Sequence, residues 1–347
     1  MEYRPLGRTG MRVSAICLGT MNMGEQNTEA EGHEQLDYAL DQGVNFIDTA
    51  ELYAVPPRPE TQGRSEEIVG TWLASRRNRD KVILATKVTG RASGLNWIRP
   101  ETHPKRLTPE QIFAAVDGSL RRMQTDYIDL YQTHWPDRDM RLFSGLEYEH
   151  RESDAVPIDE TLGALDELVK AGKVRAVGLS NETPWGTMRH LMASEGHGLP
   201  RVASIQNAYN LLNRTYEIGL SEISYREDVG LLAYSPLAQG YLTGKYEGGA
   251  LPKGSRKQLY NRLQRYETPR ASAAITAYLD LARAHGIDPG QLALQFVTTR
   301  PFVTSNIIGA TTMDQLQTDI GSIHVEWTEE LERAIEEIHL QNPNPCP

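Results

Sequence analysis

The sequence predicts an α/β protein built on a (β/α)8 barrel, and three observations point there. Short apolar runs recur along the chain, each followed by a longer segment with helical spacing of its apolar residues. Alternating units of this kind imply a parallel sheet, because each strand needs a crossover to return. Eight such units favour a closed barrel. The third observation is loop length. Returns from helix to strand are short, as at Gln42-Gly43 and Ala171-Gly172-Lys173. Passages from strand to helix are long at Ala54–Arg64, Thr89–Leu107, Pro136–Pro157 and Pro236–Pro269. Length gathered at the carboxyl ends of the strands marks the face where such barrels keep their active sites.

In chain order, the strand candidates are Val13–Gly19, Val44–Asp48, Val82–Lys87, Asp129–His134, Val174–Leu179, Ala203–Gln206, Gly230–Tyr234 and Asn306–Ile308. The piece Met11–Cys17, preceded by Arg8-Thr9-Gly10, is expected to include a small N-terminal hairpin closing the barrel floor. Ile68, Val69, Trp72 and Leu73 form one helical face, and Ile112, Val116, Leu120 and Met123 another. The second is introduced by Thr108-Pro109-Glu110-Gln111, which reads as a capping box with Pro at the first helical position. An extra helix, Glu329–His339, follows the eighth unit, and the tail Asn342–Pro347 is expected to fray. No Pro/Ser-rich linker interrupts the chain, so residues 1–347 read as one domain.

Composition excludes several functions. A net charge of −10 argues against nucleic acid and anionic membranes as partners. No run of ~18 apolar residues suggests a membrane span, and Met1–Gly10 does not resemble a signal peptide. The thiols, Cys17 and Cys346, suit a reducing, cytoplasmic setting. Among the nine histidines, His33, His103, His150, His190, His197, His285, His324 and His339 are scattered without companion ligands. No metal site is expected.

Asp48, Lys87 and His134 stand at the ends of three successive strands, and Tyr53 follows the first of these by a few residues. Strand ends of a parallel barrel converge on one rim. Any one of the four has an ordinary reading: a turn cap for Asp48, a snorkelling surface lysine, a satisfied core histidine. Together they match the needs of carbonyl reduction, which takes a hydride on carbon and a proton on oxygen. Tyr53 would give the proton, a neighbouring Lys87 ammonium would lower its pKa, Asp48 would hold the ammonium, and His134 would orient the oxygen. No G-x-G-x-x-G follows a strand, so a Rossmann site is not indicated. The run Gly240–Tyr246 is one residue short of a P-loop and has Tyr where Ser or Thr should stand. The loop after the seventh strand nonetheless carries Lys245, Lys253, Arg256, Lys257, Arg262 and Arg265, a cationic excess suited to phosphate. The loop Asp137–Asp154 reads as solvated surface that shapes a substrate pocket, with Trp135, Phe143 and Tyr148 as aromatic candidates.

Several segments resemble the signatures of the aldo-keto reductase superfamily. They are Leu18-Gly19-Thr20-Met21, Asp48-Thr49-Ala50-Glu51-Leu52-Tyr53, Ala85-Thr86-Lys87, His134-Trp135-Pro136, Val177-Gly178-Leu179-Ser180-Asn181, Gln206-Asn207 and Leu242–Tyr246. The likeness covers nearly the whole chain. Within the superfamily it is to the branch of potassium-channel β subunits and bacterial general reductases, and to Tas-type proteins through Pro56–Gly63 and Gly309–Leu316.

The resemblance implies a small-molecule carbonyl substrate, NADPH, and a tetrad of Asp48, Tyr53, Lys87 and His134 with Tyr53 as proton donor. It assigns Tyr234 to stack on the nicotinamide, and Ser180, Asn181 and Gln206 to its carboxamide. Ser235, Leu237, Gln239 and Gly240 are assigned to the pyrophosphate, with Lys245 close by. Lys245, Arg256, Thr311 and Gln315 would take the adenosine and its 2′-phosphate, where Thr311 or Thr312 opens a helix. Gly19, Thr20, Asp48 and Gly309 complete the expected cofactor set. Asp319 stands where many relatives have Asn facing the adenine. Two other classes stay open: an NADPH-binding redox-sensing auxiliary subunit with little turnover, and a Schiff-base lyase acting through Lys87.

Overall fold

In the computed structural model the chain begins with a hairpin, β1 (Tyr3–Pro5) against β2 (Arg12–Ser14), antiparallel with Tyr3 opposite Ser14. The structure describes all residues except Ser144 and Leu263, and the side chain of Gln264. The run expected as one strand from Val13 to Gly19 is thus divided. Val13 and Ser14 belong to the hairpin, while the barrel strand β3 is Ile16–Gly19. The division falls at Ala15, whose N–H bonds Glu2 O rather than a barrel neighbour.

Among the described residues, eight parallel strands close the barrel. After β3 come β4 (Phe46–Asp48), β5 (Ile83–Val88), β6 (Ile128–Thr133), β7 (Val174–Ser180), β8 (Val202–Ala208), β9 (Gly230–Tyr234) and β10 (Val303–Ile308). Each pairs with the next, and β10 pairs back onto β3 with Asn306 opposite Ile16. A helix follows each barrel strand before the next, and the helix Glu329–Gln341 packs outside after the last.

Strand periodicity positions the site. Leu6 and Val13 of the hairpin plug the floor and touch an inward layer that includes Cys17, Phe46, Ala85, Leu130, Ala176, Ala203, Leu232 and Ile307. Two residues further along β4, β5, β6 and β9, the same inward face carries Asp48, Lys87, Gln132 and Tyr234. An apolar layer thus supports a polar one at the carboxyl rim.

Two local expectations fail. Thr108 caps its helix without a side-chain bond, with Pro109 at the first position. Gln111 cannot complete a capping box because its amide already joins Arg106 N (3.0 Å) and Pro104 O (3.0 Å). The tail does not fray. Asn344 Oδ1 accepts from Arg214 N at 2.7 Å, Pro345 O from Thr268 Oγ1 at 2.6 Å, and Cys346 N donates to Leu212 O at 3.2 Å.

Candidate active site

Lys87 sits at the centre of the polar layer, fully enclosed. Its Nζ lies 2.6 Å from Asp48 Oδ2, 2.7 Å from Thr49 O and 3.5 Å from the Tyr53 hydroxyl. It is therefore no snorkelling surface lysine. The Tyr53 ring meets the His134 ring edge-on at a centroid separation of 5.6 Å. Four side chains spread over 87 positions of sequence converge because β4, β5 and β6 are adjacent and in register, Asp48 opposite Ala85 and Lys87 opposite Gln132.

Asp48 uses its other oxygen as well. Oδ1 accepts from Gln206 Nε2 at 2.8 Å and from Gln132 Nε2 at 3.3 Å. The Gln206 amide, assigned to the nicotinamide by resemblance, is thus spent in part on the carboxylate. Gln132 went unnoticed in the sequence, although it stands on β6 two residues before His134, which directly follows that strand, and alternation puts both on the same face.

Burial is the largest influence on Tyr53, Lys87 and His134. It raises the Tyr53 phenol, which the Lys87 ammonium pulls down, and the net position is above the ordinary 10.0. The expectation of a lowered phenol is corrected for this state: desolvation outweighs a cation held at the outer limit of hydrogen bonding. Burial also opposes the Lys87 charge, but Asp48 and Tyr53 overcome it and hold the ammonium above 10.5. His134 is pushed well below 6.5 by burial and then by Lys87, so its imidazole is neutral. Its Nδ1 is buried without a partner among the described residues.

Above this layer opens a cavity of about 1820 Å³, ample for a dinucleotide and a small substrate. Gly19, Asp48, Tyr53, His134, Ser180, Asn181, Gln206, Tyr234, Ser235, Leu237, Gln239 and Gly240 line it. So do Lys245, Arg256, Gly309, Thr311, Gln315 and Asp319. Of the expected residues, Thr20 and Lys87 are off the wall. Thr20 is buried behind it, its N–H and hydroxyl both on Asp48 O. Gly19 is required where β3 meets β10, since a Cβ there would lie 2.8 Å from Ile307 Cγ2.

The residues suit a bound dinucleotide on two counts. After β9 the backbone turns through positive φ at Ser235 (57°), Ala238 (47°) and Gln239 (57°), a strained path of the kind kept at ligand sites. Lys245 and Arg256 also form no ion pair among the described residues, and burial and mutual repulsion lower the Lys245 pKa. Such cations favour an incoming phosphate. Arg256 donates to Asn22 Oδ1 at 3.2 Å, and this Asn, directly after the Leu18–Met21 segment, was another residue the sequence reading passed over. Thr312, rather than Thr311, caps the helix Met313–Gly321. Burial drives Asp319 up to about 7, against the pull of Lys245. Lys257 leaves the phosphate set, because Glu267 pairs with it at 2.9 Å.

The loop after β6 is anchored, not solvated, at its root. Asp137 is buried and accepts from Arg106 Nε, Leu107 N and Val156 N. Trp135 and Phe143 reach the cavity, their rings 6.3 Å apart, whereas Tyr148 points into solvent. Pro345 and Pro347 of the pinned tail join the same wall. Among the described residues no helix is long and apolar enough to cross a membrane, and no group of His, Cys, Asp and Glu is arranged to hold a metal.

Known proteins are similar to this chain along nearly its whole length. The chain is 50% identical to Protein tas of Escherichia coli (strain K12) over 349 residues, covering 100% of both. It is 34% identical over 339 residues to Uncharacterized oxidoreductase YrpG of Bacillus subtilis (strain 168), covering 97% of this chain and 96% of that one. Identity to L-glyceraldehyde 3-phosphate reductase of Escherichia coli (strain K12) is 30% over 333 residues, covering 93% and 88%. The profile of the Aldo/keto reductase family matches residues 15–339, spanning every strand of the barrel, and the chain belongs to that family.

Proposed function

We propose that this protein is an NADPH-dependent reductase of aldehyde or ketone carbonyls, with Tyr53 as the proton donor. Family membership and the oxidoreductases among its relatives carry the coarser statement, that it is an oxidoreductase. The finer reading rests on one observation: a Lys87 ammonium enclosed between the Asp48 carboxylate and the Tyr53 hydroxyl, beside a neutral His134, at the base of the cavity. One relative is named for reducing L-glyceraldehyde 3-phosphate, which is an aldehyde.

A bound reduced nicotinamide supplies the hydride. The chain does the rest. Burial keeps Tyr53 protonated before reaction, so it holds the proton a nascent alkoxide needs. As that proton leaves, the Lys87 ammonium offsets the forming phenolate, and in a dry site this interaction is strong. Asp48 keeps the ammonium in place, itself fixed by Gln206 and Gln132. His134, being neutral, retains an N–H to donate to the carbonyl oxygen. Tyr234, Ser180 and Asn181 would hold the nicotinamide end, and Ser235, Leu237, Gln239 and Gly240 the pyrophosphate. Lys245, Arg256, Thr311 and Gln315 would hold the adenosine end, their cations favouring NADPH over NADH. A Schiff base on Lys87 is disfavoured, since its amine is charged, enclosed and committed to Asp48 and Thr49 O. Cys17 and Cys346 are free, buried thiols, in keeping with a reducing cytoplasm.

The test is NADPH oxidation across a panel of aldehydes and ketones, with NADH in parallel. Tyr53→Phe is expected to lower kcat by roughly 10²–10⁴ while NADPH still binds. Tight NADPH binding without carbonyl-dependent oxidation in the wild type would replace this reading with that of a redox-sensing auxiliary subunit.

A further inference from the structure

Three cations of the long loop after β9, Lys253, Arg262 and Arg265, line the cavity without a place in the scheme above, and of these Lys253 and Arg262 are exposed. Lys245 and Arg256 serve the adenosine end, and Lys257 is paired with Glu267. Arg265 lines the same cavity, half-buried, and among the described residues forms no ion pair. Its surroundings are rings and hydroxyls. The guanidinium carbon lies 5.7 Å from the Phe143 ring centre and 5.9 Å from that of Tyr266, and it interacts with the Tyr234 and Tyr266 phenols.

Those contacts fix which part of the cavity Arg265 serves. Phe143 packs edge-on against Trp135 at 6.3 Å, Trp135 lies 4.9 Å from His134, and His134 lies 5.6 Å from Tyr53. An unbroken path of aromatic contacts therefore runs from the tetrad to Arg265 along the loop after β6. With Leu52 and Leu95 on the same wall, this is a largely apolar path that ends at the Arg265 guanidinium. Half-buried among rings and phenols, with no carboxylate paired to it among the described residues, this guanidinium has its charge free for an incoming anion. Its planar fork matches a carboxylate or phosphate.

We propose that Arg265 is a specificity-determining residue that binds the anionic group of a carbonyl substrate, a molecule with an apolar body and a carboxylate or phosphate at the end remote from the carbonyl. The inference rests on the carbonyl-reductase reading. The two sources of anion are separated by the probes.

Three aldehydes sharing one ring serve: para-tolualdehyde (neutral), para-carboxybenzaldehyde and para-formylphenyl phosphate. The wild type is expected to favour one or both anionic compounds in kcat/KM. Arg265→Gln should lower the anionic-to-neutral ratio of kcat/KM roughly ten- to a hundredfold, chiefly through KM, the range of a lost charge-assisted hydrogen bond. Arg265→Lys should keep part of the preference, and if the Gln variant does not fold, an unchanged ratio in Arg265→Lys overturns the assignment. Loss for the carboxylate alone, the phosphate alone or both upholds it and names the class. An equal fall for neutral and anionic aldehydes overturns it, making Arg265 a prop for Tyr234. A tenfold weaker NADPH Kd also overturns it, making Arg265 a cofactor ligand. Calorimetric binding of the three compounds to the NADP⁺-loaded protein needs no turnover, so the anion preference is read even where the reductase assay is silent.

Discussion

At the scale of single residues, the Asp48–Lys87 pair decides both stability and chemistry. Each ion is enclosed and is tolerated because of the other, of the bonds Asp48 accepts from Gln206 and Gln132, and of the bond Lys87 donates to Thr49 O. Removing one partner strands a buried charge, which costs about 3–5 kcal/mol. Asp48→Asn and Lys87→Met are each expected in that range by urea denaturation. The double variant should fall short of their sum by at least ~2 kcal/mol. Strictly additive losses would mean the pair is not coupled. His134 gives a second test. Its folded pKa lies below 6.5, so as pH falls through 6.5 the unfolded chain binds a proton that the folded chain refuses, and stability drops. The slope from one such group is about 1.4 kcal/mol per pH unit. Buried His190 titrates in the same sense and stays in the background. His134→Gln should therefore flatten the decline in stability between neutral and mildly acidic pH. An unaltered slope would show that His134 protonates freely in the fold.

At the scale of elements, the sequence was readable where periodicity governs and obscure where side chains have competing partners. Thr28 and Thr108 make the contrast. Thr28 accepts from Glu31 N while Glu31 returns to Thr28 N at 2.8 Å, a complete capping box. Thr108 shows the same outward pattern, yet Gln111 is drawn off by Arg106 N and Pro104 O, partners that only the folded loop supplies. Thr28→Ala should accordingly cost about 1 kcal/mol and Thr108→Ala only a few tenths, in thermal or urea unfolding. Equal costs would refute the distinction. The same logic explains the site. Asp48, Lys87 and His134 were visible because polar residues ending apolar strands stand out. The drain on the Gln206 amide was not, since it depends on Asp48 lying across the barrel. Nor was the net rise of the Tyr53 pKa, which is set by how completely the neighbours exclude water. A period of two applied to β6 would have yielded Gln132.

At the scale of the whole molecule, barrel closure follows from the count of β/α units and from loop length gathered on one rim, and both are sequence properties. The tail is different. Asn342–Pro347 carries the Pro and Asn expected of a loose end, and nothing local indicates that Arg214, Leu212 and Thr268, each more than 70 positions away, offer it bonds. Cys346 is wholly enclosed at the end of this path. Truncation after Gln341 would leave the buried Arg214 N–H and Leu212 carbonyl without partners and expose the surface under Cys346. Three lost hydrogen bonds, that of Thr268 to Pro345 O included, and one small apolar side chain amount to roughly 2–4 kcal/mol. For a chain of this length that corresponds to a fall in Tm of about 3–5 °C. Because Pro345 and Pro347 also border the cavity and Cys346 between them interacts with Arg265, the same truncation should raise KM for the carbonyl compound more than it weakens NADPH. A Tm unmoved within one degree would show that the tail is not held. A loss confined to NADPH affinity would place it against the dinucleotide and not the substrate.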